Sequence, residues 1–304
     1  MPTQSPKIAD RPPTEEIQIN SSTPAWEELW LEVAGGRMRY LKAGSGPPMI
    51  LLHGLLGYSF SWRFTIPALA PYATVYAIDN LGAGLSVAPK GMYCTMRAAA
   101  ERVLQFADAA GIADFDLLGT SHGGAVAMMA AAMCAEKQSR LLRRLVLVAP
   151  VNPWSPHGKR LAPFIGSAFG STLFRNTVAR WRFLDYLWLR RMFGDGARIP
   201  PDSLDGYRVP VLQNRAFNYG LGIVRHWTSD LEELRTAISK IGDYPTLLMW
   251  GTRDRAVSVR SAELLRSNFR DARLVLFKGA GHLPYEEVPD EFNRALIDFL
   301  TAQR

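Results

Sequence analysis

Short apolar runs recur along the chain, separated by segments whose apolar residues return at helical spacing. The runs Met38–Lys42, Pro48–Leu52, Thr74–Ile78, Asp114–Leu118, Arg144–Ala149, Thr246–Trp250 and Arg273–Phe277 predict strands. Strands this continuously apolar suit a sheet buried on both faces, as parallel sheets are. Helices are predicted over Phe60–Leu69, Thr95–Ala110, His122–Ala135, Val259–Asn268 and Asp290–Ala302. The last carries Phe292, Leu296, Ile297, Phe299 and Leu300 on one stripe, the mark of a helix packed against a core. This alternation predicts an α/β fold, a mostly parallel central sheet flanked by helices. It breaks once, between Val151 and about Lys240, where aromatic, Arg, Gly and Pro residues replace the strand signal. An inserted, mainly helical lid over the carboxyl ends of the strands is expected there. The expected organisation is a flexible leader over 1–25, a core over 26–150 and 241–304, and a lid over 151–240.

Composition narrows the class. With 304 residues and 48% apolar content, the chain can bury a substantial core. The leader is polar, contains Pro2, Pro6, Pro12 and Pro13, and lacks the apolar run of a secretory signal. Gly124–Ala135, the most apolar helix candidate, is too short to cross a bilayer, so no membrane insertion is expected. Cys94 and Cys134 offer no disulfide framework or metal-ligand spacing, and a cytoplasmic protein is expected. The net charge of +7 is concentrated: residues 151–230 hold ten Arg and one Lys against five Asp and no Glu, a net of +6. Trp154, Trp181, Trp188 and Trp227 lie among these charges, a mixture also found on nucleic-acid and membrane-binding surfaces. A solvated Arg face over an inward aromatic face explains it more simply, and no nucleic-acid partner is expected.

The chemistry centres on Leu117–Gly124, where Gly119-Thr120-Ser121-His122-Gly123 joins a predicted strand to a predicted helix. A strand that turns into a helix this abruptly holds its apex residue in a strained conformation, and small neighbours prevent backbone collisions. Ser121 is that apex. A serine hydroxyl needs a base and an orienting acid to become a nucleophile. Of His53, His122, His157, His226 and His282, only His282 follows a strand in a tight Gly-Ala-Gly-His turn, whereas His53 is expected to order a loop. Asp254 lies just beyond the Thr246–Gly251 run and precedes His282, with Asp271 a weaker rival and Asn152 at the position after the preceding strand. Backbone N–H donors for an oxyanion are expected from His122 and from the loop after His53-Gly54, with Leu55 the first candidate and Leu56 the second. Gly54 and Gly57 would allow that loop to approach closely.

His53-Gly54, Asp79–Ser86, Gly119–Gly124, Gly251–Asp254 and Gly279–His282 together resemble the α/β-hydrolase superfamily with a lid, over Trp30–Arg304. The resemblance implies the α/β-hydrolase fold, a structural Asp79 loop that braces the elbow, and neither a metal nor an organic cofactor. Haloalkane dehalogenases and epoxide hydrolases carry aspartate at the elbow, unlike Ser121. Carbon-carbon bond hydrolases of ring-cleavage products typically have Asn before the serine and Trp after the histidine, where this chain has Thr120 and Leu283. Hydroxynitrile lyases and perhydrolases share the triad, and some members keep it yet act as ligand receptors. The resemblance thus implies a carboxylic-ester hydrolase with Ser121, Asp254 and His282 as triad and a small-molecule ester as substrate. Phe164, Phe169, Phe174, Trp181, Phe183, Tyr186, Leu187 and Trp188 suggest an apolar lid wall for short or medium acyl or aryl groups. Leu56, Trp181, Trp188 and Leu283 are the expected substrate contacts, and Arg180 or Arg190 is a candidate for a substrate carboxylate.

Overall fold

The computed structural model describes residues 26–155, 162–167, 169–173, 182–211 and 214–302, so the expected leader over 1–25 lies outside the described residues. Eight strands form one sheet: β1 (Glu27–Val33), β2 (Gly36–Ala43), β3 (Pro48–Leu52), β4 (Thr74–Ile78), β5 (Phe115–Thr120), β6 (Leu142–Val148), β7 (Thr246–Gly251) and β8 (Ala272–Phe277). Their order is β1-β2-β4-β3-β5-β6-β7-β8. β2 pairs antiparallel with β1 and β4, and every pairing from β4 to β8 is parallel. β5 and β7 are buried at every position, which accounts for their largely apolar sequence, and the one carboxylate, Asp116, is paired with Arg143 and Arg144.

All seven predicted strands are present, but β1 escaped the sequence pattern. Its Glu27, Glu28 and Glu32 punctuate Leu29, Trp30, Leu31 and Val33, so it reads as a charged segment rather than a buried run. It is an edge strand, joined to β2 through Ala34 and Gly35 at φ 51° and 75°, the left-handed pair of a tight hairpin turn. Charged positions on an exposed edge also discourage pairing with another chain.

The helices are α1 (Ile66–Leu69), α2 (Met96–Ala109), α3 (His122–Glu136), α4 (Ala162–Gly166), α5 (Arg182–Met192), α6 (Ser203–Val211), α7 (Asn214–Ile238), α8 (Arg260–Arg266), α9 (Pro284–Glu287) and α10 (Pro289–Thr301). The helix predicted over Phe60–Leu69 is instead a 3₁₀ turn, Ser59–Trp62, followed by α1 with Pro67 in its first turn. Proline is tolerated there because the first N–H groups of a helix have no partner to lose. α2 starts on Thr95, whose hydroxyl accepts the Ala98 N–H at 3.2 Å. α3 is buried on nearly all sides, and its alanines and methionines pack with α2 and α7 on one face of the sheet. α1 and α10 cover the other face with Trp62, Tyr285, Phe292 and Leu296. α4 to α7 lie between β6 and β7, a stretch in which the described residues include no strand. Among the described residues no helix is long and apolar enough to cross a membrane.

The Asp79 loop is a brace. Asp79 accepts the Ser59 N–H at 2.7 Å and the Leu85 N–H at 3.0 Å, and pairs with the Arg39 guanidinium at 3.2 Å. It joins β2, β4 and the turn that leads to α1 beneath the carboxyl ends of the strands.

Candidate active site

Ser121 stands between β5 and α3 at φ 52°, ψ −120°, a strained backbone conformation for a residue with a side chain. The residues two positions to either side have to be glycine. A Cβ on Gly119 would lie 2.3 Å from the Gly123 carbonyl oxygen, and one on Gly123 would lie 2.3 Å from that of His53. The turn is pinned to β6 by the Ser121 N–H donating to Val148 O and by Val151 N–H donating to Ser121 O, both at 2.9 Å.

Asp254 follows β7 and His282 follows β8, so the two meet beside the elbow. His282 Nδ1 lies 2.8 Å from Asp254 Oδ2, and both side chains are buried. Oδ1 of Asp254 accepts the N–H groups of Ala256 and Val257 at 2.7 and 2.9 Å. With Asp254 accepting, Nδ1 carries the imidazole proton and Nε2 is left as a base. The rivals are placed elsewhere. Asp271 immediately precedes β8, at the amino end of the parallel strands, and Asn152 spends its amide on Pro150 O and Ser261 Oγ at 2.9 and 3.0 Å.

The loop after β3 approaches from the other side. A Cβ on Gly54 would come within 3.2 Å of Ser121 Cβ, so glycine lets the loop reach the elbow. His53 fixes its start: Nε2 accepts the Asn80 N–H at 3.1 Å and Nδ1 donates to Gly54 O at 2.8 Å. Burial lowers the His53 pKa and keeps the ring neutral, which this bonding requires. Leu55 and Leu56 follow, Leu56 at φ 59°. The N–H of His122, the first residue of α3, has no acceptor within its own helix. Its ring stacks on Trp227 with centroids 6.4 Å apart, and burial pushes its pKa down to about 4.

Ser121 and His282 line one cavity of about 340 Å³. Leu55, Leu56, Trp188 and Leu283 also line it, whereas Trp181 and Arg180 lie outside the described residues and Arg190 is not among the described lining residues. Trp188 is 45% exposed and sits at the rim, and Leu283 is buried. Most of the lining is apolar, from Phe217, Leu221 and Trp227 of α7 to Val257.

Two carboxylates beside the site are absent from the sequence-based expectations. Glu287 is buried, and its oxygens accept three backbone N–H groups: Gly281 at 2.7 Å, Gly194 at 2.9 Å and Asp195 at 2.9 Å. It ties the turn before His282 to the segment after α5, and His282 N–H donates to Met192 O at 2.6 Å across the same seam. Glu286 is also buried, with Arg63 at 3.1 Å, Ser203 at 3.2 Å and the Tyr207 hydroxyl as partners. Burial raises its pKa, and the Arg63 guanidinium opposes that shift. The only sequence signal was position, two acids in the Pro-Tyr-Glu-Glu run just beyond His282.

The sheet order, the strained serine between β5 and α3, and the aspartate–histidine pair beyond the last strands are the plan of an α/β hydrolase. The alpha/beta hydrolase fold family matches residues 47–289, and the chain belongs to it. It is 28% identical to haloalkane dehalogenase 2 of Mycobacterium tuberculosis (strain ATCC 25618 / H37Rv) over 90% of this chain and 94% of that protein. It is 27% identical to the 2-hydroxy-6-oxo-6-(2'-aminophenyl)hexa-2,4-dienoic acid hydrolase of Metapseudomonas resinovorans, over 94% and 95% of the two chains. Among solved structures, a bacterial membrane phospholipase A superposes with a TM-score of 0.73 at 26% identity, covering 91% of this chain and 86% of the other.

Proposed function

We propose that the chain is a serine hydrolase that cleaves carboxylic esters of short to medium acyl or aryl groups. The observation that carries this reading is the strained Ser121 in one cavity with a histidine whose far nitrogen is held by Asp254 at 2.8 Å. Ser121 Oγ attacks the ester carbonyl carbon as its proton passes to His282 Nε2. The oxyanion rests on the N–H groups of Leu55 and His122, each such donor contributing roughly 2.7–4 kcal/mol to barrier lowering. The carbonyl re-forms, the ester C–O bond breaks, and His282 gives its proton to the leaving alcohol. Water then attacks the acyl carbon, yielding its proton to His282, and Ser121 leaves with that proton as the acid is released.

Serine at the elbow separates the chain from the aspartate-nucleophile pattern associated with haloalkane dehalogenases, despite the similarity to one. The carbon-carbon reading has the hydrolase of Metapseudomonas resinovorans in its favour, but that protein's name specifies an acid substrate. No Lys or Arg stands among the described lining residues of this cavity, which suits a neutral ester better. Residues 151–240 serve in this reading as a lid, with Leu56, Trp188 and Leu283 as acyl or aryl contacts. Ser121→Ala should abolish turnover of p-nitrophenyl esters, and full activity in that variant would refute the proposal.

A further inference from the structure

Two hydroxyls meet on one wall of the cavity. Ser61 and Tyr207 both line it, and the Tyr207 hydroxyl lies 3.1 Å from Ser61 Oγ. Behind them Tyr207 bonds Glu286, itself paired with Arg63 at 3.1 Å, and Arg63 meets Asp202 at 2.8 Å. One guanidinium thus faces two carboxylates, and the group has a net charge of −1 when all three are ionised.

The direction of the hydrogen bonds follows from what each atom can do. Oε2 of Glu286 accepts from both Arg63 and Ser203, and Oε1 accepts the Tyr207 hydroxyl, so the carboxylate acts as acceptor at both oxygens. The Tyr207 phenol keeps its proton, because burial and the adjacent Glu286 push its pKa well above 10.0. A phenol has one proton, and the carboxylate takes it. The contact between Tyr207 and Ser61 is therefore made with the Ser61 proton. Ser61 Oγ is left with lone pairs, at the edge of an apolar cavity and near the loop that approaches Ser121: a Cβ on Gly57 would lie 3.3 Å from it.

We propose that Ser61 Oγ is an acceptor subsite that selects esters carrying a hydroxyl or amide N–H donor, an inference that rests on the ester-hydrolase reading. An apolar group placed there leaves a buried acceptor without a partner. A carboxylate or ketone oxygen meets lone pairs and, beyond them, a net negative group. A site built to bond a substrate hydroxyl discriminates strongly against the analogue that lacks it.

The test uses matched substrates of equal chain length. p-Nitrophenyl acyl esters, with hydroxyl, oxo or no substituent scanned along the chain, probe the acyl side. Butyrate monoesters of diols against those of simple alcohols, followed by pH-stat, probe the alcohol side. In the wild-type protein one hydroxyl position should raise kcat/KM over the unsubstituted ester by about 10-fold or more, with the oxo analogue below both. In Ser61→Ala that ratio should fall towards one. Tyr207→Phe frees the Ser61 proton, so the oxo analogue should gain on the hydroxy ester. A wild-type preference for unsubstituted esters throughout both series would overturn the inference, as would a hydroxyl preference that survives Ser61→Ala. Absence of turnover of every ester, unsubstituted ones included, would remove the ester reading and the subsite with it.

Discussion

The two loops that flank Ser121 are held by opposite kinds of chemistry. The Gly54–Gly57 loop is fixed from within the core, by a neutral His53 bonded to Asn80 N–H and Gly54 O. The Gly279–His282 turn is fixed by carboxylates: Asp254 holds the histidine ring, and Glu287 binds the turn to Gly194 and Asp195 beyond the core. The first loop would supply an oxyanion donor, which has only to stay still. In the proposed reaction the second would present a base that changes charge, and an acceptor that stabilises the imidazolium suits it. Displacement of the helical segment before β7 reaches His282 through hydrogen bonds to Glu287 and Met192 O, and reaches the other loop through packing, since Leu55 and Leu56 lie against Gly220 of α7.

The largest effect that separates the two sides should come from Asp254→Asn. The amide favours the wrong imidazole tautomer, and kcat on a p-nitrophenyl ester should fall by roughly 10⁴-fold, with little loss of folded protein. Glu287→Gln comes next. It removes the charge that three backbone N–H groups share, turns one acceptor position into a donor, and should cost about 3 kcal/mol in urea unfolding, with faster amide exchange at Gly194, Asp195 and Gly281. Exchange at Gly57, which bonds Gly54 O, should be unchanged; equal acceleration there would show that the loops are not held independently.

Acid should strain the elbow between the two loops, through His122 at the start of α3. In the folded chain His122 titrates at about 4 against an ordinary 6.5, so between those values the unfolded chain takes up a proton that the folded one refuses. Stability from this group is therefore complete above 6.5 and lost as pH falls towards 4, by up to roughly 3 kcal/mol. Asp230 acts in the opposite sense: burial raises its pKa from 3.8 to about 6, so it adds stability as pH falls through that range. Comparing His122→Phe with wild type isolates the histidine, and the variant should lose the acid-labile component in unfolding at pH 7 and pH 5. The smallest effect belongs to His53→Phe, which strands the Asn80 N–H and should cost about 1–3 kcal/mol by the same measurement. A larger loss than that of Glu287→Gln would reverse the ranking of the two anchors.

The parallel part of the fold was legible because its strands are buried on both faces and their sequence shows it. β1 was not, since an edge strand alternates charge with apolar residues and resembles a surface segment. The elbow was legible for a related reason: Gly119, Gly123 and Gly124 are dictated by contacts too close for any Cβ. Local sequence context drew attention to Asp254 and His282, and the structure brings them within bonding distance. Glu286 and Glu287 were illegible because their importance lies in partners far along the chain, Arg63, Tyr207, Gly194 and Asp195. Nothing near them in sequence distinguishes them from solvated acids at a helix start.

The most direct measurement of the central claim, that Ser121 is an activated nucleophile, is intact-mass analysis after exposure to a fluorophosphonate, with peptide mapping of the adduct. One adduct per chain is expected, on Ser121, formed rapidly by the wild-type protein and far more slowly by His282→Ala. An adduct on another residue, or a Ser121 that remains unlabelled while the protein hydrolyses esters, would contradict it.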